Sequence, residues 1–153
     1  MSNAIQSFKV IHHNPFTLTP LFLAFYSSLP VKPKSLLLSY LVLPMVLNPH
    51  SRKFLVGATS RSSMRTLIRD RERLYGLAER IYEYRTLTNT CLQQAIDVNL
   101  IAVADDLSVI ANPDHAQDGS SPDNMIKAAK RFGELLTPFD VPTIYRMLGI
   151  KRL

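Results

Sequence analysis

The sequence predicts a mainly α-helical fold with one small β-hairpin, in which a winged-helix-like unit follows an N-terminal helical hairpin. Three observations support this fold class. Apolar residues recur at three- and four-residue steps over long stretches. Two short β-branched runs flank an acidic pair, and the asparagine-proline pair Asn14-Pro15 stands where the first helix would begin. With 153 residues, 46% of them apolar, the chain is long enough for a single domain with one core.

The N-terminal third is predicted to contain an extended arm, residues 1–13, and a helical hairpin, residues 14–48. Asn14 supplies a side-chain cap for the first helix, and Pro15 is suited to its first turn. Pro44 lies inside the second helix, where it predicts a kink or an early end. Both helices are strongly apolar, but each run is shorter than the roughly 20 residues that span a bilayer. We therefore expect buried core helices and no membrane segment.

The middle of the chain, residues 62–111, is predicted to form the winged-helix-like unit. Residues 48–60 before it are predicted to be a loop, because they are rich in turn-forming residues. A periodic apolar face then predicts an amphipathic helix that can break near Arg69–Gly76. Thr88 is expected to cap the next helix, and a two-residue turn at Asp105–Asp106 closes the hairpin. Helix, helix and hairpin is the order of a winged-helix unit.

Residues 122–150 are predicted to form two C-terminal helices. Pro122 and Asp123 open the first, and Gly149 ends the second. This C-terminal segment is too apolar for a free tail, and we expect four of its side chains to dock a partner: Ile144, Tyr145, Leu148 and Ile150.

The residue types that carry catalysis or metal binding are not arranged for either role. The four histidines lack ligand spacing, the five glycines form no phosphate-binding loop, and no serine lies in a nucleophile elbow. Cys91 lies on an apolar helix face, where it predicts a core thiol, and a single cysteine favours the reducing cytoplasm. We therefore expect a protein that is not an enzyme, with no catalytic residue, metal, cofactor or small-molecule substrate.

Charge is distributed unevenly along the chain. The net charge is +6, and the first acidic residue is Asp70, after eight basic residues. Five arginines at four- and seven-residue spacing are expected to line one helix face: Arg61, Arg65, Arg69, Arg73 and Arg80. Such a row favours an anionic partner, either nucleic-acid phosphates or an acidic protein surface. The alternative is a solvated helix face partly neutralised by nearby acidic residues.

The predicted recognition helix is poorly suited to DNA. Its exposed positions carry amides, hydroxyls and one carboxylate, whereas DNA readers usually bring arginine or lysine to guanine and to phosphates. Two aspartates of the wing would face the DNA backbone. Protein contact is the better interpretation of this unit, and a free-standing winged-helix DNA-binding regulator stays open as the alternative. A small membrane-acting toxin is a third alternative, which rests only on the two apolar runs.

Short motifs follow one another in a characteristic order along nearly the whole chain. Asn14-Pro15 leads into an aromatic-rich helix, and Tyr40-Leu41-Val42-Leu43-Pro44 follows. After the arginine-containing helix and the hairpin come Ala128-Ala129-Lys130-Arg131-Phe132-Gly133 and Ile144-Tyr145-Arg146-Met147-Leu148-Gly149-Ile150. In this order they resemble the middle component of three-component ABC ATPase systems from bacterial conflict or defence loci. The chain departs from the pattern of this family in the proline-rich spacing around residues 30–33.

The resemblance implies a small non-catalytic adaptor subunit. It would link an SMC- or Rad50-like ABC ATPase to an effector in antiviral defence through protein–protein interaction. Its expected partners are the ATPase and effector subunits, with nucleic acid reached only through the complex and no membrane involved. The resemblance assigns no catalytic residue, and it places the protein in the bacterial cytoplasm.

Overall fold

The computed structural model describes residues 14–114 and 121–151, so the predicted arm, residues 1–13, lies outside the described residues. The described helices are α1 (Pro15–Ser28), α2 (Ser39–Val46), α3 (Pro49–Val56), α4 (Met64–Arg69), α5 (Leu77–Asp97), α6 (Asp123–Leu136) and α7 (Val141–Met147). Short 3-10 helices precede α2 (Ser35–Leu38) and α5 (Arg71–Arg73), and strands β1 (Ile101–Val103) and β2 (Val109–Ala111) form an antiparallel hairpin. The mainly helical fold with one hairpin is confirmed, whereas the winged-helix arrangement stays a prediction.

Helix α1 lies at the centre of the fold. It begins as predicted, since the Asn14 side chain accepts a hydrogen bond from the backbone N–H of Phe16 at 3.0 Å and Pro15 follows the cap. Helices α5 and α6 and strand β2 all pack against α1, so its side chains are buried over most of its circumference. Helix α2 is similarly buried between its neighbours. The two apolar runs of the sequence are therefore core helices, as predicted.

Helix α3 occupies residues that the sequence analysis assigned to a loop, residues 48–60, and that prediction was wrong. The Asn48 side chain accepts hydrogen bonds from the backbone N–H groups of His50 at 3.0 Å and Ser51 at 3.2 Å. A proline at the first helical position completes the same start signal that begins α1. In the sequence, the turn-forming residues after Asn48 favoured a loop over a helix. In the structure one of them, Gly57, ends the helix.

Helix α5 is a single helix of 21 residues, so the prediction that Thr88 caps a new helix was wrong. Thr88 lies in a buried stripe that includes Ile81, Cys91 and Ala95. Because this stripe packs against α1 and α2, the helix continues although the residues around Thr88 are polar. The Thr88 hydroxyl is fully buried and has no hydrogen-bond partner in the described part of the chain.

Replacing Thr88 by valine is expected to stabilise the protein by about 1 kcal/mol, because it removes a buried hydroxyl that makes no hydrogen bond. Thr19 provides a matched control, since its buried hydroxyl donates to the carbonyl of Pro15 at 2.6 Å. Thermal or urea unfolding should show that Thr88→Val and Thr19→Val have opposite effects. A loss of stability in Thr88→Val would mean that its hydroxyl is paired in solution.

The hairpin turn is one residue longer than predicted. The N–H of Ala104 donates to the carbonyl of Ser108 at 2.9 Å, which leaves Asp105–Leu107 in the turn. Leu107 has a φ of 64°, a left-handed conformation that is unfavourable for leucine. Its carbonyl accepts from the N–H of Leu36 at 2.9 Å, so contacts with the 3-10 helix before α2 hold the turn in place. The hairpin is thereby docked onto the N-terminal helices.

Candidate interaction surfaces

The predicted arginine row does not form one continuous helix face. Asp70 has an extended backbone, with φ −93° and ψ 108°, and ends α4, while Gly76, with φ 68°, precedes α5. The break that the sequence allowed near Arg69–Gly76 is confirmed, and it separates the arginines. They lie on different elements: Arg61 before α4, Arg65 and Arg69 on α4, Arg73 in the second 3-10 helix and Arg80 on α5.

Arg73 binds groups of its own chain. It donates to the carbonyl oxygen of Thr66 at 2.7 Å, and its guanidinium carbon lies 4.2 Å from the ring centre of Phe54. The carboxylate of Asp70 is 3.9 Å away. These contacts join the C-terminal part of α4 to α3, and they commit this guanidinium to intramolecular packing.

Arg80 has a similar role at the start of α5. Its guanidinium donates to the carbonyls of Pro44 at 3.4 Å and Arg73 at 3.3 Å, and also to that of Tyr75. Partial burial lowers the pKa of Arg80, while Tyr84 and the neighbouring glutamates oppose that shift. Arg80 therefore connects α2, the second 3-10 helix and α5.

Arg61, Arg65 and Arg69 are exposed, in contrast to the other two. No carboxylate lies within 4.0 Å of their guanidinium groups in residues 14–114 and 121–151. We call Arg61, Arg65 and Arg69 the basic surface. Exposed Asp70 follows Arg69 and lines a groove of about 430 Å³ with exposed Lys53 and half-buried Ser62. The basic surface carries positive charge that an anionic partner would neutralise.

The four C-terminal residues predicted to dock a partner lie in or against the core. Ile144, Tyr145 and Leu148 are buried, and Ile150 is half-buried against them. The Tyr145 hydroxyl donates to the carbonyl of Leu37, and burial raises the pKa of Tyr145. Docking of a partner through these side chains stays a prediction, and it would require α7 to leave the core.

The outward-facing side of α5 forms a second surface, which the sequence analysis considered only for DNA. Two grooves of about 700 and 490 Å³ lie along it and share Thr86 and Asn89. We call this side the outer α5 surface, with these members: Glu79, Tyr82, Glu83, Arg85, Thr86, Asn89, Thr90, Gln93, Asp97 and Val98. The three carboxylates recur at helical spacing, and this pattern is the signal that could have identified the surface from the sequence.

Cys91 is fully buried, and burial raises the pKa of its thiol to about 11. This position agrees with the core thiol that the sequence predicts. Across the described ranges, no group of three or more histidine, cysteine, aspartate or glutamate side chains is placed to hold a metal ion. None of the described helices combines the length and apolar content needed to span a bilayer.

The comparison with known protein families gives one match. The family described as ABC-three component (ABC-3C) system Middle Component 3 matches residues 2–152, which is nearly the whole chain. No curated protein and no solved structure matches the chain.

Proposed function

The chain belongs to the ABC-3C system Middle Component 3 family, and from this premise we propose that it is a non-catalytic adaptor. It links an SMC- or Rad50-like ABC ATPase to an effector in a bacterial antiviral defence system, and it works in the cytoplasm. The observation that carries the adaptor role is the basic surface, whose three arginines are exposed and have no carboxylate partner in the described residues. A partner with an acidic surface would supply the counter-charge.

An acidic protein surface suits the basic surface better than nucleic acid does. Exposed Asp70 and Glu72 follow Arg69 on either side of exposed Arg71, and they would repel a phosphate backbone that runs along the arginines, whereas a protein surface can place a cation opposite them. Tyr75, further along the same loop, is 85% exposed. Arginine and tyrosine are enriched in protein–protein interfaces, where they supply much of the binding energy.

The alternative function, a free-standing winged-helix DNA-binding regulator, has less support. From Thr86 to Asn99 the exposed side of α5 carries no arginine or lysine, and Asp105 and Asp106 are exposed at the hairpin turn. A DNA reader would need cations at both places.

Reversing the charge of the three exposed arginines tests the adaptor proposal. The variant Arg61→Glu, Arg65→Glu and Arg69→Glu is expected to weaken assembly with one of the other two components at least tenfold while the protein stays folded. Arg73 and Arg80 are left unchanged because they bind backbone carbonyls, and their loss would lower stability instead. Affinity is measured by interferometry with the purified components, and folding by circular dichroism.

A matched control carries the same change in net charge elsewhere. Lys127, Lys130 and Arg146 are exposed on α6 and α7, and their replacement by glutamate should leave assembly unchanged. If both triple variants weaken assembly equally, the loss of affinity comes from the change in net charge and not from the basic surface. Normal assembly of the arginine variant, together with loss of binding to a DNA duplex, would favour the regulator over the adaptor.

A further inference from the structure

We propose that the outer α5 surface docks an amphipathic helix of a protein partner, and that this helix carries basic residues along its flanks. The inference rests on the proposed adaptor function, because it assigns a second partner-binding surface to the same molecule. It concerns a part of the chain distinct from the basic surface.

The length of the surface fits a helix. Because the two grooves share Thr86 and Asn89, they form one continuous open face of α5 from Tyr82 to Val98, here called the trough, and α1 flanks it only near Val98. At 1.5 Å per residue this stretch of α5 is about 24 Å long. A partner helix of about four turns would lie alongside it.

Three amide side chains of the trough use part of their hydrogen-bonding capacity within the protein. Asn89 accepts from the Tyr40 hydroxyl at 2.6 Å, and Gln93 donates to Asp97 at 2.9 Å. Gln94 is hydrogen-bonded to Thr19 at 2.9 Å. An extended peptide would need such groups for its own N–H and C=O groups, whereas a helix satisfies its backbone internally. The trough therefore favours a helical occupant.

Apolar groups are exposed at both ends of the trough. Tyr82 is 77% exposed at one end, and Val98 is 40% exposed at the other. An exposed aromatic side chain such as Tyr82 provides an anchor that an amphipathic helix can cover with its apolar face.

The charge of the outer α5 surface predicts the flanks of the partner helix. Glu79, Glu83 and Asp97 are exposed in a chain whose net charge is +6, against exposed Arg85 and half-buried Arg80, whose guanidinium interacts with Glu79 and Glu83. None of these three carboxylates has a cationic group within 4.0 Å in the described residues. The C-terminus of α5 adds partial negative charge near Asp97. Lysine or arginine on the partner would compensate this charge, whereas nucleic acid would be repelled.

The test uses the full-length protein with the other two components of its system. The variant Glu79→Lys, Tyr82→Ala and Glu83→Lys is expected to weaken binding of one component at least tenfold and to leave binding of the other unchanged. Asp105→Lys with Asp114→Lys serves as the control, because these carboxylates are exposed outside both the trough and the basic surface. A photo-crosslinking residue at position 90 of the otherwise wild-type protein, in place of Thr90, should capture a helical segment rich in lysine or arginine. This segment should belong to the component whose binding the triple variant weakens.

The outcomes separate the two proposals. If the wild-type protein binds neither component, the adaptor function itself is overturned. If both components bind but the trough variant matches the control, only this inference fails. Crosslinks from Thr90 to nucleic acid, to a second copy of the chain or to a non-helical segment would also overturn it.

Discussion

Replacing Gly133 by alanine is expected to lower the free energy of unfolding by about 2 kcal/mol. A Cβ atom built at Gly133 would lie 2.6 Å from the carbonyl oxygen of Phe25 and 3.1 Å from the Cβ atom of Ser28, so α6 and α1 would have to separate. Alanine would gain about 1 kcal/mol of helix propensity over glycine. The steric effect wins because the closest atom belongs to the backbone of a buried helix and cannot move alone.

Gly57→Ala is the matched control for this prediction. The added Cβ atom there would lie 3.4 Å from the nearest atom, an ordinary contact, and φ at Gly57 is −86°. Thermal unfolding should place this variant close to the wild type, while Gly133→Ala melts about 6 °C lower. Equal stability of the two variants would mean that α1 and α6 are not in close contact in solution.

Local signals explain which parts of the fold could be predicted from the sequence. The start of α1 needs only Asn14 and Pro15, and its end before Pro30 needs only one proline, so both were predicted. The same signal begins α3 at Asn48, where the turn-forming residues behind it obscured the helix. In α5, tertiary packing continues a helix that the sequence around Thr88 would allow to stop.

The candidate surfaces depend on contacts that no local pattern contains. Spacing identified five arginines but could not separate Arg73 and Arg80, whose carbonyl partners include the distant Pro44, from the exposed three. Likewise, the apolar C-terminal residues could fit a partner or the core, and only the fold shows Ile144 and Leu148 buried. The sequence therefore predicted the residue types of a candidate surface, whereas the fold decides which of them are exposed.

Lys32 is a structural residue that the sequence analysis did not identify, because its partners lie more than 100 positions away. Its ammonium group donates to the carbonyl oxygens of Leu136 at 3.1 Å, Thr137 at 3.2 Å and Phe139 at 2.6 Å. These carbonyls follow the last turn of α6, where a cation is also favoured by the helix dipole. Partial burial lowers the pKa of Lys32, and the Asp140 carboxylate opposes that shift. The loop after α1 is thus fastened to the end of α6.

Replacing Lys32 by methionine is expected to cost about 2 kcal/mol of folding stability, because three carbonyls lose a charged donor while the apolar stem is kept. Lys34→Met is the control, since Lys34 is exposed and only its backbone N–H, which the substitution keeps, bonds to the hairpin, at Asp106. Hydrogen exchange should rise at the end of α6 in Lys32→Met and stay unchanged in Lys34→Met. Similar stability of the two variants would show that solvent replaces Lys32 as the donor.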